Sequence, residues 1–314
     1  MVVEESDRIE RSGEERWNTS PSSSLNISSS SPGQSRVDIT GIGVDDLNQR
    51  EALRRIGHLI EAGGSHYGVV VNASKMVVAS RDDRLRTAIS KADMVTADGM
   101  SVVWASRLLG RSLKERVTGI DLFERLIGVA ASQGASVYFL GAQPESVSGV
   151  VERFVSEYPH LRVAGYRDGY FTPSEEADVA AEINKSCADL LFVALGSPKQ
   201  ELWIYTFIQR TGVRFALGVG GAFDHLSGRV RRAPKWMQNA GLEWLYRLTL
   251  EPARLWRRYL IGNCRFIDLV VRQFLIQTRA RYDQPVRSHS PTMRGDSSRG
   301  RTPSSADDST SGVK

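Results

Sequence analysis

Apolar positions along this chain follow two alternating patterns. Short unbroken runs rich in β-branched residues recur: GVVVNA (Gly68 to Ala73), SVYFLGA (Ser136 to Ala142), DLLFVALG (Asp189 to Gly196) and RFALGVG (Arg214 to Gly220). Runs of this length with no polar alternation predict strands covered on both faces, as parallel strands are. MVTADG, Met94 to Gly99, predicts one more. Between them, segments such as PESVSGVVERFVSEYP and SEEADVAAEINKSC repeat apolar residues at helical spacing, with start signals at Pro144 and Ser174. Strands alternating with helices need crossover connections, so the expected fold class is α/β, a doubly wound parallel sheet.

The alternation stops at both ends. Residues 1–36 are polar and charged and contain the tract SPSSSLNISSSSPGQS, and residues 284–314 are again dominated by Ser, Gly, Pro and charge. Such segments bury too little apolar surface to offset the entropy of ordering, which predicts two disordered tails around a core at 37–235 and a basic segment at 236–283. In that basic segment arginines stand at 247 and 254, then at 258, 265, 272 and 279, among Trp244, Leu248, Leu255, Trp256, Tyr259, Phe266, Leu269, Val270 and Phe274. A spacing of seven keeps each group near one helical face. Basic residues interleaved with aromatic and aliphatic ones suit a helix lying in a membrane interface. The plainer alternative is a core-packed helix with a solvated basic face.

A formal net charge of +5 with 41% hydrophobic residues describes a globular protein with an anionic partner. Nucleic acid has charge alone in its favour, without a binding motif. The two cysteines, Cys187 and Cys264, form neither a CxxC nor a Cys/His cluster, which fits a reducing cytoplasm and argues against structural zinc. No apolar run is long enough to span a bilayer, and the charged start MVVEESDRIERSGEERW is unlike a signal peptide.

Candidate chemistry gathers at the strand ends. Gly141, Gly196, Gly220 and Gly221 close or follow strands, where glycine lets backbone N–H groups approach a phosphate, although glycines end strands in any sheet. GVGGAF is not GxGxxG, and neither a P-loop nor a metal-carrying DxD triplet occurs. Polar residues recur nearby: Asn72, Asp98, Arg116, Gln200 in GSPKQE and Asp224 in GGAFDHLSG.

These residues lie within NASKMVVASRDDRLRTAISKADMVTADGMSVVW, RVTGIDLFERL, YFLGA, GYFTPSEE, LFVALGSPKQELWI and GVGGAFDHLSGRVRRAPKWMQNAGLEWLYRLTLEPARLWRRYL. Together they resemble the WecG/TagA/CpsF glycosyltransferases from about residue 38 to about residue 275. The resemblance implies a Rossmann-like core with a C-terminal helical appendage that aids membrane association and completes the site. It implies inverting transfer of N-acetylmannosamine or a related sugar from a UDP-sugar to a polyprenyl-diphosphate-linked saccharide, at the inner face of the cytoplasmic membrane. Homo-oligomers are implied as well. Motif by motif, the general base of the DG pair falls on Asp98, the RVTG arginine on Arg116, the SPKQE glutamine on Gln200 and the GGxFD aspartate on Asp224. The asparagine of the first loop falls on Asn72, although this chain reads NASK where the common form is NPE. The appendage arginines fall on Arg247, Arg254 and Arg257, as diphosphate clamps.

Elementary chemistry is compatible with these roles. A single in-line displacement needs one carboxylate to take the acceptor proton, and arginines with backbone N–H groups can stabilise a departing diphosphate without metal or other cofactor. Each residue also has a plainer role: Asp98 as a turn-former, Arg116 as a surface charge, Gln200 as a cap for the helix after Pro198, Asp224 bonding its own loop. His225, beside Asp224, is read as structural. A nucleotide-dependent oxidoreductase and a non-catalytic membrane scaffold are the competing functional classes.

Overall fold

The computed structural model describes residues 36–230, 233–234, 236–237, 243–250, 252–256 and 260–282. The two expected tails, apart from Arg36, lie outside the described residues. The chain opens with an antiparallel hairpin, β1 (Arg36–Ile39) and β2 (Ile42–Asp45), turning through Thr40 and Gly41. Helix α1 (Gln49–Ala62) follows, and a capping box between Asn48 and Glu51 fixes its start. Then come β3 (His66–Val71), α2 (Ala73–Ala79), α3 (Asp83–Ser90), β4 (Met94–Ala97), α4 (Met100–Leu108), α5 (Gly119–Gln133), β5 (Ser136–Gly141), α6 (Pro144–Glu157) and β6 (Arg162–Arg167). The core ends with α7 (Glu176–Lys185), β7 (Leu190–Ala194), α8 (Lys199–Thr211), β8 (Phe215–Gly218) and α9 (Ala222–Leu226).

Strands β3 to β8 form one six-stranded sheet in the order β4-β3-β8-β7-β5-β6, with every pairing parallel. The doubly wound α/β expectation therefore holds. Side chains alternate across the sheet: Val137 and Phe139 of β5 join one apolar cluster, Tyr138 and Leu140 the other. The first cluster is covered by α1, α5, α6 and α9 through residues such as Ile56, Phe123, Phe154 and Phe223. The second is covered by α2, α3, α4, α7 and α8 through Met76, Leu85, Val102, Ile183 and Trp203. Neighbouring strands β5 and β7 thus send their helices, α6 and α8, to opposite faces. A crevice outside the carboxyl ends of such a pair is where ligands bind in doubly wound sheets.

Helices α10 (Glu243–Leu250), α11 (Pro252–Trp256) and α12 (Gly262–Tyr282) follow the core. The long α12 is not detached from it. Phe266 and Val270 are buried in the second cluster, and Gln273, one turn further, accepts from the Thr40 N–H at 2.6 Å and donates to Asp38. The reading of a core-packed helix therefore applies to one stripe of α12. Arg265, Arg272 and Arg279, spaced by seven, are exposed, and so is an apolar flank of Ile267, Val271, Phe274 and Leu275. Among the described residues no helix is long and apolar enough to cross a membrane.

Candidate active site

Three of the expected site residues meet at the carboxyl end of β3 and β4. The Asp98 N–H donates to the Val71 carbonyl at 2.7 Å, and the Val117 N–H donates to the Ala97 carbonyl at 2.9 Å. Those two bonds set Asp98 beside Asn72 and bring Arg116 to the end of β4. Gly99 then turns the chain into α4 at φ +124, a conformation that side-chain-bearing residues rarely adopt. Asn72 caps α2, its Oδ1 accepting from the Lys75 N–H at 3.0 Å, and Thr118 caps α5 by accepting from Asp121 at 3.1 Å. Helices α2, α4 and α5 all begin at this corner, so their positive dipole ends converge near the half-buried Asp98.

Arg116 is not a solvated surface charge. Its guanidinium lies 3.6 Å from the carboxylate of Glu243 at the start of α10, and the two side chains are 16% and 15% exposed. The basic segment is thereby tied to the site by an ion pair. Arg247 and Arg254 fall on α10 and α11, but their side chains, like the whole of Arg257, lie outside the described residues.

The remaining candidates line the exits of β5, β7 and β8. Gly196 (φ +74) and Gly221 have open space where a Cβ would stand, so backbone there is accessible to a ligand. Gly141 has a different reason to be glycine: at φ +116, a Cβ would sit 2.6 Å from the Ala194 carbonyl, which the closeness of β5 and β7 forbids. Gln200 does not cap α8, whose N-cap is Pro198 with no side-chain bond. It is 2% exposed, and its Oε1 accepts from the Gly220 N–H at 3.1 Å while its Nε2 donates to Glu201 at 2.7 Å. Asp224, in α9, accepts from the fully buried Ser146 hydroxyl at 2.7 Å, which holds it against the first turn of α6. His225 bonds the Val230 carbonyl at 3.1 Å.

Sequence reasoning passed over two residues. Lys75 and Glu201 form a buried ion pair at 2.6 Å between α2 and the start of α8. Both lie within motifs already singled out, NASK and SPKQE; a charge within the otherwise small and apolar ASKMVVA was the available signal for Lys75, whereas Glu201 follows Lys199 and Gln200 and gave none. Among the described residues no group of three or more His, Cys, Asp or Glu side chains is placed to hold a metal ion.

The corner brings an arginine, helix starts and a carboxylate together at one strand end. Comparison with known proteins identifies the family. A profile of the Glycosyl transferase WecG/TagA/CpsF family matches residues 37–280. The N-acetylglucosaminyldiphosphoundecaprenol N-acetyl-beta-D-mannosaminyltransferase of Bacillus subtilis (strain 168) is 36% identical over 217 residues, covering 69% of this chain and 80% of the relative. Its namesake from Bacillus spizizenii (strain ATCC 23059 / NRRL B-14472 / W23) is 35% identical over 212 residues, covering 68% and 81%. The matched region takes in the whole sheet, the Asp98 corner and nearly all of α12, and on that ground the chain is a glycosyltransferase belonging to the WecG/TagA/CpsF family.

Proposed function

We propose that this glycosyltransferase moves N-acetylmannosamine, or a related hexose or uronic acid, from a UDP-sugar to a polyprenyl-diphosphate-linked saccharide, with inversion at the anomeric carbon. The reading rests on the juxtaposition of Asp98 and Arg116 at one strand end, together with the acceptor and sugar in the relatives' names. Asp98 takes the proton of the attacking hydroxyl, and the anomeric carbon–oxygen bond to UDP breaks as the new glycosidic bond forms. Negative charge gathering on the departing diphosphate is met by Arg116 and by N–H groups of the helix starts. Gly196, Gly220, Gly221 and Asp224 take the nucleotide side.

The deciding assay offers a panel of UDP-sugars and N-acetylglucosaminyl-diphosphoundecaprenol, with and without EDTA. UDP-N-acetylmannosamine is expected to give the fastest transfer, and EDTA to leave the rate unchanged. Absence of transfer from every UDP-sugar would sink the reading. Loss of rate with EDTA, restored by Mg²⁺, would sink the metal-free displacement.

Transfer from a water-soluble UDP-sugar to a lipid-linked acceptor would take place at the inner face of the cytoplasmic membrane. The exposed flank of α12, with Ile267, Val271, Phe274 and Leu275 beside Arg265, Arg272 and Arg279, is suited to insert apolar side chains among lipid headgroups while its guanidinium groups reach phosphates. Deleting the whole segment would uncover the core around Phe266 and Val270, so surface substitutions are the cleaner test. Ile267→Glu with Val271→Glu is expected to lower cosedimentation with anionic vesicles about tenfold or more, on the scale of two buried aliphatic side chains lost. Unchanged sedimentation would remove α12 from membrane binding.

A further inference from the structure

Strands β3 and β8 part company before the site. Their ladder ends at Gly68 and Leu217, whereas β3 stays paired with β4 to Val71 and β8 stays paired with β7 to Gly218. The Val71 carbonyl faces β4, where it accepts from Asp98, so the Val70 carbonyl one residue earlier faces the widening gap toward β8. The Lys75 ammonium fills that gap, donating to the Val70 carbonyl at 2.6 Å and to Glu201 Oε1 at 2.6 Å. Glu201 Oε1 also accepts from Gln200 Nε2, and Gln200 Oε1 accepts from the Gly220 N–H. Gly218 makes room for this amide: a Cβ there would lie 2.7 Å from Gln200 Nε2.

Each link in this chain has one possible polarity. A backbone N–H can only donate, so Gln200 must turn its oxygen to Gly220 and its NH₂ to Glu201. A carboxylate can only accept, so it suits that NH₂, and Lys75 has donors alone. Glu201 is 1% exposed, its second oxygen has no hydrogen-bond partner, and Lys75 is the cation paired with it. Buried pairs of this kind seldom add net stability over apolar residues of the same volume, so their value lies in the geometry they impose.

We propose that Lys75 and Glu201 are positioning residues for donor binding. Acting through Gln200, they fix the Gly220–Gly221 turn on the nucleotide side at a set distance from the Asp98 corner, to which Lys75 is joined through α2. The proposal rests on the reading of that turn as a donor contact.

The test uses the full chain with Lys75→Met, Glu201→Gln and the double variant K75M/E201Q. Lys75→Met strands a buried carboxylate, which draws in water or a proton and disturbs the Gln200 amide. The double variant removes both charges yet keeps an amide oxygen to accept from Gln200. Exchange of the Gly220 amide in the ligand-free protein is expected to quicken about tenfold or more in Lys75→Met, with KM for UDP-N-acetylmannosamine rising by a similar factor and KM for the lipid acceptor unmoved. The double variant should return both readouts to within about threefold of the parent, because its smaller loss is a neutral one. Wild-type Gly220 exchange and donor KM in Lys75→Met would overturn the proposal. So would donor and acceptor KM rising together in step with the loss of melting temperature across all three variants. If the parent transfers no sugar from any UDP-sugar, the functional reading fails while Gly220 exchange still decides this one.

Discussion

Asp98→Asn is expected to lower kcat for sugar transfer by about 10²- to 10⁴-fold, the span a positioned general base contributes. Asparagine has nearly the shape of aspartate but cannot take up the acceptor proton. The main-chain bond from the N–H of residue 98 to the Val71 carbonyl survives the change, as does the Gly99 turn into α4, and asparagine keeps an amide oxygen where the carboxylate accepts. KM for donor and acceptor should therefore move little, and the melting temperature should hold. Steady-state kinetics with UDP-N-acetylmannosamine and the lipid-linked acceptor read all three quantities. A variant that turns over at near the parent rate would return Asp98 to the rank of turn-former.

Arg116→Gln is expected to cost about 10²- to 10³-fold in kcat, the loss typical when one fixed donor to a developing charge is removed. The position has a second duty that must be separated from the first, because Arg116 is paired with Glu243 of α10. Glu243→Gln breaks the same pair while leaving the guanidinium in place. It is expected to retain most of the rate, because the diphosphate supplies the negative charge that Glu243 supplies in the free protein. Equal damage from the two substitutions would mean that Arg116 serves to anchor the basic segment and has no separate part in stabilising the leaving group.

The sequence was most legible where a residue's surroundings are set by its own segment. Strands β3, β4, β5, β7 and β8 stand where continuous apolar runs predicted them, because a strand buried on both faces has no polar position to confuse its pattern. Pro144 marks the first residue of α6 as expected, while α7 begins at Glu176, two residues after Ser174, whose hydroxyl pairs with Thr172 instead. The hairpin of β1 and β2 and the edge strand β6 were not foreseen. They are short, and β6 is half exposed with an arginine at each end.

The candidate site divides in the same way. Asp98, Asn72 and Gly196 are recognisable singly, as polar or small residues at the ends of apolar runs. Which of them are neighbours is not, because the sheet order β4-β3-β8-β7-β5-β6 departs from chain order. Gly141 was singled out as a backbone approach to phosphate, and the structure adds a steric need for glycine there in the closeness of Ala194. In α12 the heptad spacing gave the exposed arginine face correctly, but could not tell that Phe266 and Val270 are core while Ile267 and Val271 face outward.

By itself, then, the sequence determined the α/β class and the strands of the sheet interior, since both depend on local periodicity, and the family, since its motifs are runs of adjacent residues. Tertiary structure alone decided that Arg116 meets Glu243, that Gln200 turns inward to Gly220, and that Lys75 and Glu201, 126 residues apart, share one buried bond. Those contacts follow from strand order and from which carbonyls the parting of β3 and β8 leaves unpaired, and no pattern along the chain encodes either.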